Sequence, residues 1–598
     1  MFAWSQHELN PEQEAAVVFA GSQFLIACPG SGKTRTLTYK IAYELSRLAS
    51  NRQFVIAITY TNRAADEIRE RIENLGVNTE RLWIGTIHAF CLEWILKPYG
   101  LYHPDLAHGF RIIDLHEREK MLEQLCDPYQ PQRVTFWDCD YYFTPRGRVL
   151  GCSDTRKHAV IENVLEEFFM VLKSRQQIDF ELILFYAHRL VATHPAISAN
   201  LSKLFSFMLV DEYQDTKEIQ YEILGRILSA GDGATKLLMV GDPNQAIFGS
   251  LGGFPIDLAG LRAITGLEIE PRALSRNYRS SQRLIDYFGN FNLYGTVIEA
   301  SGRNRDFASR ITYNATIHKD DLADEIARLI QHNIEVLGVP PNEICVVAPQ
   351  WPYLTAITRA LVVRLPEYRF DGPGIVPFAR DPENFWYKVA RLALTESSPG
   401  GYLRRMRWAG EVIQDLSSAG VDVSTFNGKR LLAECNAVVI DETDGLLFLR
   451  TFFDTLFVRL QVSYLAFASL VEHYEAFFAS SEARLQRLRT DGVAAAGEVA
   501  FFKKAFQARS GILVSTIHGV KGAEFDVVIA HTLLEGMVPH FNDTSGDDSA
   551  KKLLYVIGSR ARKHLHMFSE IGRAKGQRGD TWRATQLLTA CVFPYDSP

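Results

Sequence analysis

Short apolar runs rich in β-branched residues recur in the first half of the chain, at 24–27, 54–58, 82–85, 207–210 and 237–240, and each closes in small or polar residues. Runs this short, apolar at nearly every position, predict strands buried on both faces, as in parallel sheets. Between several of them apolar residues fall at helical spacing, 34–48 and 63–75 among them, so strand and helix alternate as in a doubly wound sheet. A second series follows at 344–348, 512–516 and 527–531, then a helix over 549–560 and a run closing over 564–568. Each series is interrupted by a stretch rich in Leu, Phe, Arg and Glu at helical spacing, over 100–200 and 380–505. These stretches lack the Pro, Gly and Ser of a flexible connector and are read as inserted domains. The expected fold is α/β, with two parallel-sheet domains that each carry a helical insert.

Composition narrows the picture. The 598 residues have room for several domains, and 47% hydrophobic with 22% charged residues is globular composition, which argues against wholesale disorder. The start, MFAWSQHELNPEQ, lacks a basic stretch followed by an apolar run, and no charge-free apolar segment reaches about 18 residues, so a soluble cytoplasmic protein without membrane contact is expected. The eight cysteines are scattered without a CxxC pair, which predicts reduced, mostly buried thiols. A net charge of −6 gives no global nucleic-acid signature, so any such contact must be a local groove.

The candidate chemistry begins where the first strand ends. Ala27-Cys-Pro29-Gly30-Ser31-Gly32-Lys33-Thr34 lies between a predicted strand and a predicted helix, the setting of a phosphate-binding loop. Gly30 and Gly32 let backbone N–H groups approach phosphates, Lys33 reaches the β and γ oxygens, and the Thr34 hydroxyl ligates Mg²⁺. Another strand ends in Asp211-Glu212-Tyr213-Gln214-Asp215: Asp211 suits the metal, and Glu212 suits orienting and deprotonating a water. Those acids could otherwise cap the next helix. A third strand end, Gly241-Asp242-Pro243-Asn244-Gln245, puts the Gln245 amide where it could touch a γ-phosphate, although Asp-Pro-Asn alone reads as a turn.

With these parts in place, the chain resembles the UvrD/Rep type of superfamily 1A DNA helicases over nearly its whole length, in the family's order. Leu9-Asn10-Pro11-Glu12-Gln13 is similar to the Q motif, Thr59 to Ala65 to motif Ia, Gly85 to Phe90 to Ib, and Asp211 to Asp215 to motif II. Gly241 to Gly253 resembles motif III, LSRNYRS (Leu274 to Ser280) motif IV, and VSTIHGVKGAEF (Val514 to Phe525) motif V. Glu535 to His540 and Tyr555 to Ala561 resemble the last two blocks. The resemblance implies two RecA-like domains: the first over 1–99 and 201–275 with an insert at 100–200, the second over 276–379 and 506–598 with an insert at 380–505. It implies ATP and Mg²⁺ as cofactors, with Pro29 and Ser31 in the nucleotide loop. Gln13 would read adenine, Arg35 and Tyr278 would sandwich its ring, Glu524 would meet the ribose, and Arg279 and Arg560 would reach the γ-phosphate as arginine fingers. Surface salt bridging is the plainer role for both arginines.

The implied partners are single-stranded DNA and single/double-strand junctions. Tyr60 and Phe248 would be base-stacking platforms, with Thr61, Asn62, Thr86, His88, Thr516 and His518 near the backbone. Tyr60 and Phe248 could also be core aromatics, and the two histidines satisfied interdomain groups. Phe136-Trp137 with Tyr141-Tyr142-Phe143 reads as a local core more readily than as a duplex-facing patch. Three departures from the family pattern stand out. Gly249-Ser250-Leu251-Gly252-Gly253 replaces a second aromatic and an arginine in motif III, Ser549-Ala550 replaces two acids, and Pro349-Gln350 stands where arginine is common. No nuclease block follows Arg560. The leading expectation is an ATP-dependent 3′–5′ DNA helicase and translocase in repair or anti-phage defence. The alternative is a DNA-sensing ATPase subunit gating a partner nuclease, as in a Gabija-like complex.

Overall fold

A computed structural model of the chain describes residues 2–597 except 6, 373–376, 379–380, 382, 491–493, 507–510, 542, 544 and 576–579, so the expected boundary at 379/380 lies outside the described residues. Six strands, β1 (Ser22–Ala27), β2 (Phe54–Thr59), β3 (Leu82–Thr86), β4 (Phe205–Val210), β5 (Lys236–Gly241) and β6 (Ile269–Leu274), form one parallel sheet in the order β6-β1-β5-β4-β2-β3. Their apolar runs are continuous because alternate side chains enter different cores. Leu25, Val55, Ala57, Leu209 and Val240 pack with Leu37 and Ile41 of helix α1 (Lys33–Leu45) and with Ile68 and Ile72 of α2 (Asn62–Asn74). Phe24, Ile56, Ile58, Met208 and Met239 instead join Phe90, Phe168 and Leu184.

The strand β6 is absent from the sequence pattern for a physical reason. Its residues Ile269-Glu-Pro-Arg-Ala-Leu274 are half polar and include Pro271, which an edge strand tolerates because it needs one ladder, not two. The second sheet has β7 (Ile311–Asn314), β8 (Ile344–Ala348), β9 (Ile512–Thr516), β10 (Phe525–Ala530) and β11 (Ala561–Phe568), parallel in the order β7-β11-β10-β8-β9. Its core draws on Leu284 and Phe288 of α3 (Gln282–Gly289) and Leu554 and Tyr555 of α4 (Asp547–Arg560). The short edge strand β7 also escaped the pattern. The helices expected at 34–48, 63–75 and 549–560 begin one or two residues earlier than expected, at Lys33, Asn62 and Asp547.

Contacts divide the chain into two units. One holds residues 1–113, 118–368 and 512–598, with both sheets; the other holds 114–117 and 369–511. The second unit is helical around buried Phe385, Trp386, Phe453, Phe477 and Phe502, and the Trp386 indole N–H donates to the Leu470 carbonyl at 2.8 Å. Apart from 114–117, the stretch 100–200 belongs to the first unit and shares a hydrophobic core with the first sheet. It is not wholly helical: Tyr141–Thr144 and Gly147–Leu150 form an antiparallel hairpin. Tyr141 and Phe143 are buried there, with the Phe143 ring 4.6 Å from Phe185, whereas Trp137 is 69% exposed. The aromatic cluster is thus mostly local core. All eight cysteines are free thiols, six of them buried. Among the described residues, no helix is long and apolar enough to cross a membrane.

Candidate functional site

Because every strand of the first sheet runs the same way, its candidate residues all emerge along one edge, beyond the carboxyl ends of β1 to β6. After β1, Gly30 (φ +68°) and Gly32 (φ +77°) take left-handed conformations that a side chain would disfavour. Gly32 precedes α1 without a side-chain cap, which leaves the N–H groups of the first turn to face the loop. A Cβ on Gly32 would sit 2.5 Å from Gln13 Nε2, and one on Gly30 2.6 Å from Arg279 Cβ. Gln13 and Arg279 therefore lie directly against the loop.

Lys33 Nζ is 2.5 Å from Glu212 Oε1, which places the loop lysine on the acid pair after β4. Glu212 itself takes φ +51°, sparsely populated for a residue with a Cβ, and its N–H donates to Asp211 Oδ1 at 2.9 Å. Burial raises the Asp211 pKa, and the neighbouring Glu212 and Asp215 charges add to that against Lys33. Burial works the same way on Glu212, but Lys33, Lys521 and the Gln214 amide outweigh it and hold this carboxyl below the usual range. Lys33 is held above its ordinary value by Glu212, Asp211 and Asp242 in spite of burial.

These residues fit magnesium ATP. The Ser31 hydroxyl is buried beside the Cys28 thiol, two glycines hold the loop open to phosphate oxygens, and Asp211 with Thr34 offers oxygen donors beside Lys33. Around the base end, Gln13 Nε2 donates to the Ser31 carbonyl (2.8 Å) and its Oε1 accepts from the Asn10 N–H (3.0 Å). Tyr278 OH accepts from Asn10 Nδ2 (2.7 Å), and the exposed Arg35 donates to the Glu8 carbonyl (3.3 Å). Gln13, Tyr278 and Arg35 thus gather on the segment 8–13.

The second sheet closes this cleft with cations. Arg560, 2% exposed at the end of α4, donates from Nη2 to Gln245 Oε1 at 2.7 Å. Gln245 Nε2 in turn donates to Asp242 Oδ2 (2.8 Å), which also accepts from Tyr555 OH (3.1 Å). Burial and the adjacent Arg279 push the Arg560 pKa down to about 9, with Glu212, Asp242 and Glu524 opposing. Arg279 donates to Glu524 Oε2 (2.6 Å) and to the Ser559 carbonyl (2.8 Å). Arg562 also donates to Glu524, at 3.2 Å, so both oxygens of that carboxylate are occupied by guanidinium groups. The crossover between the sheets wraps the phosphate loop: Asn277 Nδ2 donates to the Pro29 carbonyl (2.7 Å) and the Tyr278 N–H to the Gly30 carbonyl (2.8 Å). Asn277 was not singled out from the sequence, although it stands inside LSRNYRS.

Of the expected nucleic-acid residues, Tyr60, Thr61, Asn62, Thr86, His88 and Phe248 follow strands of the first sheet, and Thr516 and His518 stand at the end of β9 in the second. Tyr60, 42% exposed, and Phe248 face each other at 5.1 Å with planes 30° apart, and His518 lies 5.4 Å beyond Phe248. Phe248 is half-buried against the second sheet's core. His518 Nε2 lies 3.2 Å from the Ile247 carbonyl oxygen. The Thr61, Thr86 and Thr516 hydroxyls accept from the N–H groups of Ala64, Ala89 and Gly519, so each caps a turn, and Asn62 is exposed beside Thr61. His88 packs on Phe180 at 5.9 Å, and burial, with Lys217 adding, pushes its pKa down to about 4. His518 thus has a polar partner in the Ile247 carbonyl, and His88 is packed against an aromatic ring.

One residue missed in the sequence joins the two regions. Lys521 Nζ donates to Asp215 Oδ2 (2.5 Å) and to the Gln245 carbonyl (2.5 Å), and it lies 5.3 Å from the Phe248 ring centroid. Its position in VSTIHGVKGAEF, three residues after His518, was the available signal. The glycine tract also acquires a reason. Gly252 (φ +88°) lies under Tyr142, where a Cβ would sit 2.8 Å from the ring.

Two family models match the chain: the UvrD/REP helicase N-terminal domain over residues 9–255 and the UvrD-like helicase C-terminal domain over residues 468–570. The ATP-dependent DNA helicase UvrD1 of Mycobacterium tuberculosis (strain ATCC 25618 / H37Rv) is 31% identical over 301 residues, covering 46% of this chain and 38% of that protein. DNA helicase II of Escherichia coli (strain K12) is 29% identical over 297 residues, covering 46% and 39%. The ATP-dependent DNA helicase PcrA of Bacillus subtilis (strain 168) is 28% identical over 293 residues, covering 46% and 38%. The chain thus spans about two fifths of the length of these curated relatives.

Proposed function

This chain belongs to the UvrD/Rep family of superfamily 1A helicases, and on that premise we propose that it hydrolyses ATP between its two sheets and uses the cycle to move along single-stranded DNA and open junctions. The 3′-to-5′ direction, the six-segment domain division and service in DNA repair or anti-phage defence come with the resemblance, and a cytoplasmic location is the reading of the sequence. The observation that carries the proposal is the run of contacts from Lys33–Glu212, through Gln214, Asp242, Gln245 and Lys521, to Phe248.

Thr34 and Asp211 would hold magnesium, which would offset phosphate charge. Lys33 is paired with Glu212; a γ-phosphate competes for the lysine and frees the carboxylate to orient water and take its proton. Arg560 and Arg279 approach the same phosphate from the second half, so ATP draws the halves together and hydrolysis releases them. Gln245 touches Arg560 through its side chain and Lys521 through its carbonyl, so a shift of Arg560 is felt next to the Phe248 ring.

The test is steady-state ATP hydrolysis with and without single-stranded DNA, with Lys33→Ala as the blank. Strong stimulation supports a motor; hydrolysis that persists in Lys33→Ala refutes the assigned site. The glycine tract after Phe248 favours a second reading, in which the ATPase senses DNA and gates a partner nuclease with little unwinding of its own. Measurable basal turnover without stimulation or unwinding would select it.

A further inference from the structure

The helical unit of residues 369–511 contains a cavity of about 710 Å³ lined by Ser398, Tyr402, Arg405, Lys429, Leu432 and Asn436 among others, none of them acidic. Arg405 is 4% exposed, yet among the described residues it forms no ion pair. Its Nη2 donates to Asn436 Oδ1 (2.8 Å) and, at 3.4 Å, to the Leu392 carbonyl, while its buried Nε has no partner. Burial pushes the Arg405 pKa down, with Cys435 opposing. A buried guanidinium without a counter-charge is costly, and an anion in the cavity would offset that cost.

Two further features converge there. Helix Tyr402–Ser418 starts at Gly401 with no side-chain cap and carries Arg405 in its first turn, while the Tyr402 N–H donates to the Pro399 carbonyl. Lys429, exposed on the neighbouring helix Gly428–Ala437, also has no ion pair among the described residues. The Tyr402 ring, Pro399 and Leu432 supply apolar wall, and the volume is that of a small-ligand site.

We propose that this cavity binds a phosphorylated ligand of nucleotide size, with the phosphate on Arg405 and Lys429 and the body against Tyr402 and Leu432. A free nucleoside monophosphate and the terminal phosphate of a DNA strand share this chemistry. The site is independent of the ATP cleft.

Hydrogen exchange on the full chain tests it, read on peptides covering 399–410 and 428–437 in a Lys33→Ala background that disables the cleft. The probes are uridine 5′-monophosphate against uridine, and a 5′-phosphorylated against a 5′-hydroxyl oligonucleotide. Saturable protection by the phosphorylated member of either pair is expected, and the pair that responds identifies the source. Lys429→Met, at an exposed position and compatible with the fold, should weaken the apparent affinity about tenfold, and Arg405→Met should weaken it further. No protection by any probe, equal protection by the unphosphorylated members, or unaltered affinity in Lys429→Met overturns the proposal.

Discussion

The two sheets of this protein share a parallel design but meet the cleft with opposite ends. The first offers the carboxyl ends of its strands: the phosphate loop after β1, the acid pair after β4 and Gln245 after β5. The second offers residues at the amino ends of β10 and β11, where Glu524 and Arg560 stand just ahead of the paired Phe525 and Ala561. One half therefore brings loop amides and carboxylates, and the other brings guanidinium groups. On the proposed function, an ATP site on either half alone would be incomplete.

Removing the second half's charge is expected to have the largest effect. Arg560→Ala should lower hydrolysis by about 10³-fold, measured as turnover at saturating ATP, while a fluorescent nucleotide still binds. Comparable loss of binding would move Arg560 from the reaction to the scaffold.

A smaller effect should follow from cutting the link. Lys521→Met should keep basal hydrolysis and lose most of the stimulation by single-stranded DNA, on the order of tenfold for one charged contact. The pH profile sharpens this. Burial raises the Asp215 pKa to about 6, Glu212 adds to the rise, and Lys521 and Lys33 oppose it. A raised acid favours the fold in its protonated form, and that contribution is lost as pH rises through about 6. The ion pair with Lys521, by contrast, exists above about 6. DNA stimulation should hold at neutral pH and fall as pH drops through about 6, a step that Lys521→Met should abolish. Stimulation without a pH step would separate Asp215 from the coupling.

Phe248→Ala should weaken single-strand affinity by roughly 1–3 kcal/mol without altering basal turnover, read by fluorescence titration. Unchanged affinity would make this ring purely core. The smallest effect is reserved for Gly252→Ala, which meets both a left-handed backbone and the Tyr142 ring. An apparent Tm lower by about 2–4 °C with normal ATP hydrolysis is expected, and an unshifted Tm would show that Tyr142 can yield.

The sequence by itself determined the parts whose signal is local. Buried strands read as apolar runs because both faces of each sheet are covered, and the phosphate loop and acid pair read as motifs because their residues are adjacent in the chain. The edge strands β6 and β7 were hidden because a strand with one neighbour can keep polar residues and a proline. Composition at 100–200 suggested a separate helical insert, whereas the folded chain merges that stretch with the first sheet's core and gives it a hairpin. Tertiary structure alone decided that Lys521 reaches Asp215, that Asn277 holds Pro29, and that Arg405 is buried without a counter-charge. Periodicity encodes which side chains leave water. Which polar groups then meet is set by how the sheets and helices dock, and that depends on contacts between residues far apart in the chain.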